Sequence, residues 1–314
     1  MEARTPQALI RLYTHPACLA HDTGPGHAER PERLMAVLEA LTAAFPDLKP
    51  HAAPRATRGQ LLRVHAPTLL EQVLETRPAT RVMLDPDTAL SPATAEAALR
   101  AAGAAVAAVD AVLDGETMRA FCAVRPPGHH ATGETAMGFC LFNNVAIAAA
   151  HALAKHGLAR VAIADFDVHH GNGTQAIFEQ DPRVLFLSSH QWPLYPGTGG
   201  ADERGAGNIH NAPLPAGAGG GLFRAAWRGR LLPELDRFAP QLVLVSAGFD
   251  AHRRDPLASL QLEADDYAWL TRELLAVARR HAQGRLVSLL EGGYDLEALR
   301  ECSIAHVGAM LDAA

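Results

Sequence analysis

Asp165, Asp167 and His169 are spaced by two in Ala164-Asp165-Phe166-Asp167-Val168-His169-His170-Gly171-Asn172-Gly173-Thr174. They follow the short apolar run from Arg160 to Ile163, which reads as a buried strand. Side chains alternate across a strand, so residues spaced by two lean to one side as the strand runs out. Two carboxylates and an imidazole converging at a strand end form a candidate metal site. The bland alternative is a solvated acidic loop. A buried carboxylate without a partner is costly, however, and the apolar context favours a bound cation.

The other residues able to do chemistry also follow predicted strands. Ala120–Val124 leads into Arg125-Pro126-Pro127-Gly128-His129-His130, and Val184–Ser188 leads into the segment Gln191–Gly199. Gln241–Ser246 leads into Ala247-Gly248-Phe249-Asp250, and Arg285–Leu290 into Glu291-Gly292-Gly293-Tyr294. Leu9–Tyr13 reads as a first strand. Apolar spacing predicts helices over Pro31–Phe45, Ala93–Leu113, Asn143–His156, Phe223–Phe238 and Asp265–His281. His15–Arg33 reads as a surface loop and Gly205–Gly221 as a long loop. Strands alternating with helices imply an α/β fold, a mostly parallel sheet with helices on both faces. No composition shift or repeat divides the chain, so one domain over 1–314 is expected. In such sheets the carboxyl ends of the strands form the ligand crevice. His129, His130, Asp167, His169, Asp250 and Tyr294 should converge there from four strand ends.

Composition narrows the partners. Among 314 residues, 48% are hydrophobic, enough for a sizeable core, and the net charge is −6 with no basic block. Lysine occurs only at 49 and 155. That balance excludes nucleic-acid binding through phosphate contacts. Cys18, Cys122, Cys140 and Cys302 are scattered, with no C-x-x-C pair, and predict free thiols in a reducing, cytoplasmic compartment. No basic start followed by an apolar core suggests a signal peptide, and no apolar segment is long enough to span a bilayer. A homo-oligomer stays open.

Taken together and in this order, Arg-Pro-Pro-Gly-His-His, Asp-Phe-Asp-Val-His-His-Gly-Asn-Gly-Thr, Ser-Ala-Gly-Phe-Asp and Glu-Gly-Gly-Tyr resemble the zinc-dependent histone deacetylase family. That family includes bacterial histone deacetylase-like and acetylpolyamine amidohydrolases. The resemblance runs from Glu29-Arg30-Pro31-Glu32-Arg33 to the C-terminus, and the Glu-Gly-Gly-Tyr and Gly-Asn-Gly-Thr forms look like its class II branch. It implies the arginase/deacetylase-type fold. It also implies a hydrolase that removes acyl groups from acylated lysine side chains or small acylated amines.

The resemblance makes Asp167, His169 and Asp250 the zinc ligands. Three protein ligands leave a position open for water or substrate, as catalytic zinc requires. Two carboxylates harden the set, so Fe(II) is the alternative. Asp250 as a mere helix cap would not explain the preceding Ser-Ala-Gly-Phe. By the same resemblance His129 is held by Asp165 and His130 by Asn172, where other branches carry Asp. His130 is assigned as general base and proton donor to the leaving amine, and His129 as an electrostatic and positioning group. Tyr294 would hydrogen-bond the substrate carbonyl and then the oxyanion, with Gly292 and Gly293 leaving room for it to swing. A structural potassium ion is implied at Asp165, Asp167, His169, Ser188 and Ser189, and a second cation at Phe178, Asp181 and Val184. Gly138, Phe139 and Tyr195 are expected to wall the substrate channel, with ordinary core packing the alternative for Phe139. Arg33 matches an arginine lining an internal pocket behind the metal.

Two readings on the same fold compete. An arginase-like di-manganese ureohydrolase needs further acidic ligands, but Gly171 and His252 stand at those positions and Gly171 cannot ligate. A non-enzymatic binder of acylated ligands would be expected to have lost Tyr294 or a histidine, and all are present. Within the family, Leu257 follows Asp255-Pro256 at the expected channel mouth. A polyamine-selective relative carries Glu there. Leu257 therefore favours acyl-lysine or a neutral acylamide over acetylpolyamines, unless Asp22 or Asp87 supplies charge at the mouth.

Overall fold

A computed structural model describes residues 8–312. The first seven residues, which bear on the signal-peptide expectation, lie outside it. Ten strands occur among the described residues: β1 Ala8–Thr14, β2 Pro50–Ala52, β3 Val82–Met83, β4 Ala89–Leu90, β5 Thr117–Cys122, β6 Val161–Asp165, β7 Val184–Gln191, β8 Ile209–Leu214, β9 Leu242–Ala247 and β10 Leu286–Leu290. Eight form one sheet in the order β2-β1-β5-β10-β9-β6-β7-β8, and β3 and β4 make a separate antiparallel ribbon. Every pairing in the large sheet is parallel.

The central strands are apolar on both faces because helices cover both. Every residue of β6, β9 and β10 is buried, as expected of an enclosed parallel sheet. Helices Thr94–Leu113 and Asn144–His156 pack together on one side, and Pro31–Ala44, Ala264–His281 and Leu296–Asp312 pack as a group. The helix Thr94–Leu113 is buried around most of its circumference, which its alanine-rich sequence anticipates. No helix among the described residues is long and apolar enough to cross a membrane. The four cysteines are buried and unpaired.

This strand order decides where the chemistry meets. Strands β5, β10, β9 and β6 are neighbours, and each ends in one of the four motifs. Their registers align the ends: Leu289 pairs with Cys122, Leu290 with Ala247 and Asp165 with Ser246.

Two expectations change, and one helix is added. The segment Gly205–Gly221 is not one loop, because Ile209–Leu214 is the edge strand β8. Its Ile-His-Asn-Ala-Pro-Leu sequence lacks a continuous apolar run, and an edge strand tolerates Pro213. The segment His15–Arg33 is not a surface loop. It carries a short helix at Ala17–Ala20 and buries Cys18, His21, Thr23, Glu29 and Arg33. The helix Leu296–Asp312 was not anticipated, although Leu299, Cys302, His306 and Met310 recur on its buried side.

Glu29 makes that buried segment structural. Arg125 Nη2 donates to Glu29 Oε2 at 2.7 Å and Arg125 Nε donates to Oε1. Arg33 Nη1 donates to the same Oε1 at 3.1 Å. All three side chains are withdrawn from water. Burial alone would raise the Glu29 pKa, but Arg125 and Arg33 outweigh it and hold it down to about 2. A carboxylate with a depressed pKa stabilises the fold above its unfolded pKa, and that stability is lost as pH falls toward about 2. Glu29→Ala leaves two buried guanidinium groups short of their counter-charge. It should cost about 3–5 kcal/mol in urea unfolding at neutral pH. A loss below about 1 kcal/mol, the range of surface pairs, would contradict this account.

Candidate active site

Strand β6 ends in Asp165, and the chain then presents Asp167 and His169, while Asp250 follows β9. Ligand atoms of Asp167, His169 and Asp250 all lie within 4.8 Å of one another, and all three residues are buried. Asp167 Oδ2 accepts the Gly292 N–H at 2.9 Å, and Asp250 Oδ1 accepts the Val168 N–H at 2.8 Å. Asp250 Oδ2 is buried with no hydrogen-bond partner. His169 Nδ1 lies 3.0 Å from Asp167 Oδ1 and 3.3 Å from Asp250 Oδ2. Burial disfavours charge on this ring, but Asp167 and Asp250 outweigh it and raise its pKa to about 10. A pair of carboxylates that draws a proton this strongly, with one oxygen orphaned, fits a divalent cation held by these three residues.

Two glycines let the carboxylates sit there. A Cβ on Gly248 would lie 2.0 Å from Asp167 Oδ2, and one on Gly292 would lie 1.9 Å from Asp250 Oδ2. Gly292 thus serves close backbone approach to the ligands rather than room for Tyr294 to swing. Gly128 is also a close-approach position, since its Cβ would fall 2.5 Å from the Asn144 nitrogen.

The tandem histidines stand beside this group with different partners. His129 Nδ1 is 2.9 Å from Asp165 Oδ2, and His130 Nδ1 is 2.7 Å from Asn172 Oδ1. An amide oxygen only accepts, so His130 Nδ1 carries the hydrogen and Nε2 keeps its lone pair. Burial, with His129 and His169 nearby, holds the His130 pKa well below its ordinary value. Burial acts against charge on His129 too, but Asp167 and Asp165 raise its pKa well above the ordinary value. The surroundings thus favour a neutral ring at His130 and favour charge at His129.

Glu291 acquires a role that its motif did not disclose. Its Oε2 accepts the N–H groups of Gly128 at 2.6 Å and His129 at 3.2 Å, and its Oε1 accepts the Ser246 hydroxyl at 3.1 Å. One buried carboxyl therefore fastens three of the four motif loops. Burial pushes its pKa up to about 7, against the pull of His129. The available signal was an acid closing the apolar run Leu286–Leu290.

A cavity of about 210 Å³ opens onto the site. His130, His169, Tyr294 and Asp87 are among its polar lining, and Phe139, Tyr195 and Leu257 among its apolar lining. Burial pushes the Tyr294 phenol well above its usual pKa, so it stays a hydroxyl donor. The Tyr195 ring stands edge-on to His130 with centroids 5.1 Å apart. Phe139 is half-buried and lines the cavity, so core packing does not account for it. Its backbone has φ +67°, a costly conformation for a bulky residue. Neighbouring Asp87 and Thr88 hold that turn, accepting the N–H groups of Gly138 and Phe139 at 3.1 Å each. Of the two acids considered for the mouth, Asp87 lines the cavity, whereas Asp22 does not.

Arg33 does not line this cavity. Its guanidinium lies 4.8 Å from the Tyr294 ring centroid and donates to the Gly293 carbonyl at 2.5 Å and the Glu291 carbonyl at 2.6 Å. It braces the loop that carries Tyr294.

The cation positions divide. Ser188 pairs with Asp165 across β6 and β7. His190 Nε2 lies 3.0 Å from the Gly199 carbonyl and so carries the hydrogen, leaving Nδ1 to accept from the Ser188 hydroxyl at 3.0 Å. The Ser188 lone pairs are left available for a cation. Ser189 accepts the Trp227 indole N–H at 3.0 Å. The carbonyls of Phe178, Asp181 and Val184 also converge, but on the side-chain amide of Asn208, which donates to them at 2.8, 3.1 and 2.8 Å. The positive end of an amide dipole stands where the resemblance places a second cation.

Asp110, His151 and His156 form another group of metal-ligating residues among those described. Its atoms are already committed. Arg63 donates to His151 Nδ1 at 2.6 Å, so Nε2 bears the hydrogen that Asp110 accepts, and Lys155 pairs with the other Asp110 oxygen at 2.9 Å. This is a charge network between two helices.

Comparison with known proteins places these residues in a family. Residues 27–310 match the family described as "Histone deacetylase domain". The chain is 42% identical to a histone deacetylase-like amidohydrolase of Pseudomonas aeruginosa, with 92% of this chain and 83% of that protein covered. It is 41% identical to the human protein named polyamine deacetylase HDAC10, covering 90% of this chain and 44% of that protein. The crystal structure of the HDA15 HD domain superposes with a TM-score of 0.91 at 35% identity, covering 98% of this chain and 90% of that one.

The tight fit at Gly292 is testable without substrate. Gly292→Ala should displace Asp250 and Asp167, and metal content by elemental analysis should fall several-fold while circular dichroism stays unchanged. Full metal content in the variant would show that the carboxylates are not held as described.

Proposed function

The chain belongs to the histone deacetylase family, and on that premise we propose a metal-dependent amidohydrolase, one catalytic domain over 1–314, that removes acyl groups from acylated lysine side chains. The observation that carries this reading is the meeting of a cation-binding trio, a neutral histidine and a tyrosine hydroxyl at one cavity. The four unpaired thiols suit a cytoplasmic setting.

Bound by Asp167, His169 and Asp250, a divalent cation, zinc or alternatively Fe(II), supplies Lewis acidity toward water and the acyl carbonyl. The chain's own groups do the rest. His130 Nε2, with Nδ1–H fixed on Asn172, takes a proton from the attacking water and returns it to the departing amine. The Tyr294 hydroxyl donates to the acyl oxygen as negative charge develops there. His129, held by Asp165 and with its ring 4.0 Å from that of His130, takes the electrostatic and positioning role. Phe139 and Tyr195 hold the thin apolar stem of an acyl-lysine between aromatic faces, beside Gly138. Asp165, Asp167, His169, Ser188 and Ser189 would hold a structural potassium ion, which would add positive charge beside the buried carboxylates.

Leu257 decides between substrate classes. It is 38% exposed at the cavity and offers no counter-charge to a distal ammonium. We therefore favour acyl-lysine or a neutral acylamide. Asp87 on the cavity wall is the observation favouring an acetylated polyamine, although one of its oxygens is engaged by Gly138 and Thr88.

Two measurements test this reading. Tyr294→Phe should retain the metal and fold but lose about 100- to 1000-fold in kcat on an acetyl-lysine peptide. Near-normal turnover would remove Tyr294 from the reaction. On substrate choice, the wild type should have a higher kcat/KM for the peptide than for N-acetylputrescine, and Leu257→Glu should move the ratio toward the amine. A wild type that strongly prefers the acetylated diamine would establish the polyamine reading instead.

A further inference from the structure

We propose that Asp255 is a positioning residue that locks the tyrosine hydroxyl donor to the mouth of the substrate cavity, so that the two move as one piece. This rests on the reaction proposed above for the identity of the donor, but the geometry stands on its own. Asp255 lies five residues beyond Asp250 in the loop after β9 and is 7% exposed. Its two oxygens face opposite tasks. Oδ1 accepts the backbone N–H of Leu257 at 2.9 Å, and Oδ2 accepts the backbone N–H of Tyr294 at 2.8 Å. Leu257 and Tyr294 both line the same cavity, yet belong to loops after different strands.

The bond to Tyr294 completes the restraint of its loop, where the Gly292 N–H donates to Asp167 and the Gly292 carbonyl accepts the Phe249 N–H, each at 2.9 Å. Gly292 and Gly293 precede it, and Gly293 has φ +121°, a region that only glycine adopts freely. Arg33 grips the carbonyls of Glu291 and Gly293 on one side of this segment. Asp255 grips the N–H of the next residue. Both Asp255 oxygens are acceptors, whereas an asparagine presents one acceptor and one NH₂ group. The NH₂ would oppose one of the two backbone donors. Asp255→Asn therefore frees either the mouth or the tyrosine without changing side-chain size.

The test uses the metal-replete full chain labelled with 3-fluorotyrosine, which carries only four tyrosines. The Tyr294 fluorine resonance is assigned by its absence in Tyr294→Phe. Asp255→Asn should shift or broaden that resonance while those of Tyr13 and Tyr267 stay in place. In kinetics it should lower kcat on an acetyl-lysine peptide about 10- to 100-fold. In the Tyr294→Phe background it should cause no further loss, whereas a merely structural role would give an additive one. If Asp255→Asn does not fold, Asp255→Glu, with two acceptors displaced by one methylene, takes its place. A Tyr294 resonance unmoved by the substitution, or additive kinetic losses, overturns the positioning role. A resonance that moves in an enzyme without acyl hydrolysis upholds the coupling and overturns the proposed reaction instead.

Discussion

Four carboxyl groups, those of Asp165, Asp167, Asp250 and Glu291, are withdrawn from water at the ends of three adjacent parallel strands. Ionised carboxylates in such a place are costly unless each is compensated. The site can be read as the set of compensations. Asp165 has the His129 ring and the Asp167 N–H. Glu291 has two backbone N–H groups and a serine hydroxyl. Asp167 and Asp250 retain between them an oxygen with no hydrogen-bond partner, beside His169, and the three together form a group able to hold a metal ion. The need to neutralise buried charge thus marks the candidate cation position, and the strand order β5-β10-β9-β6 places the tandem histidines and Tyr294 around it.

A second layer makes that arrangement rigid. Glu29 joins Arg125, at the head of the histidine loop, to Arg33, which grips the tyrosine loop. The ion triad lies behind the reacting groups rather than among them. Its distances tie together two loops that must present a base and a hydroxyl donor to one bond. Oriented donors are effective in catalysis because little reorganisation is left for the reaction itself. The asymmetry of the histidines follows the same logic. Asp165 behind His129 favours a cation, and Asn172 behind His130 leaves a neutral ring with an open lone pair.

Much of this was legible in the sequence because the strongest signals were local. Asp165, Asp167 and His169 alternate within six residues of an apolar run, and strand periodicity alone puts them on one side. The central strands were legible for the same reason, being short runs of Val, Leu, Ile and Ala. Edge strand β8 was not, since it is polar, contains Pro213 and is defined by its pairing with β7. The long-range roles were also hidden. Nothing near Glu29 in sequence indicates Arg125, and Asp255 reads as a turn residue before Pro256 until Tyr294 is seen against it. The second cation position was carried over from the resemblance, and the structure puts the amide of Asn208 there. Nor does the sequence near Arg33 disclose its hydrogen bonds to the carbonyls of the tyrosine loop.

The central claim is that one cation on Asp167, His169 and Asp250, acting with the groups around it, hydrolyses an acylated amine. Acetate release from an acetyl-lysine peptide, followed while chelator-stripped protein is titrated with zinc, tests it most directly. Activity should rise linearly and reach its plateau at one equivalent per chain. A plateau at two equivalents, or no acetate released from fully loaded protein, would contradict it.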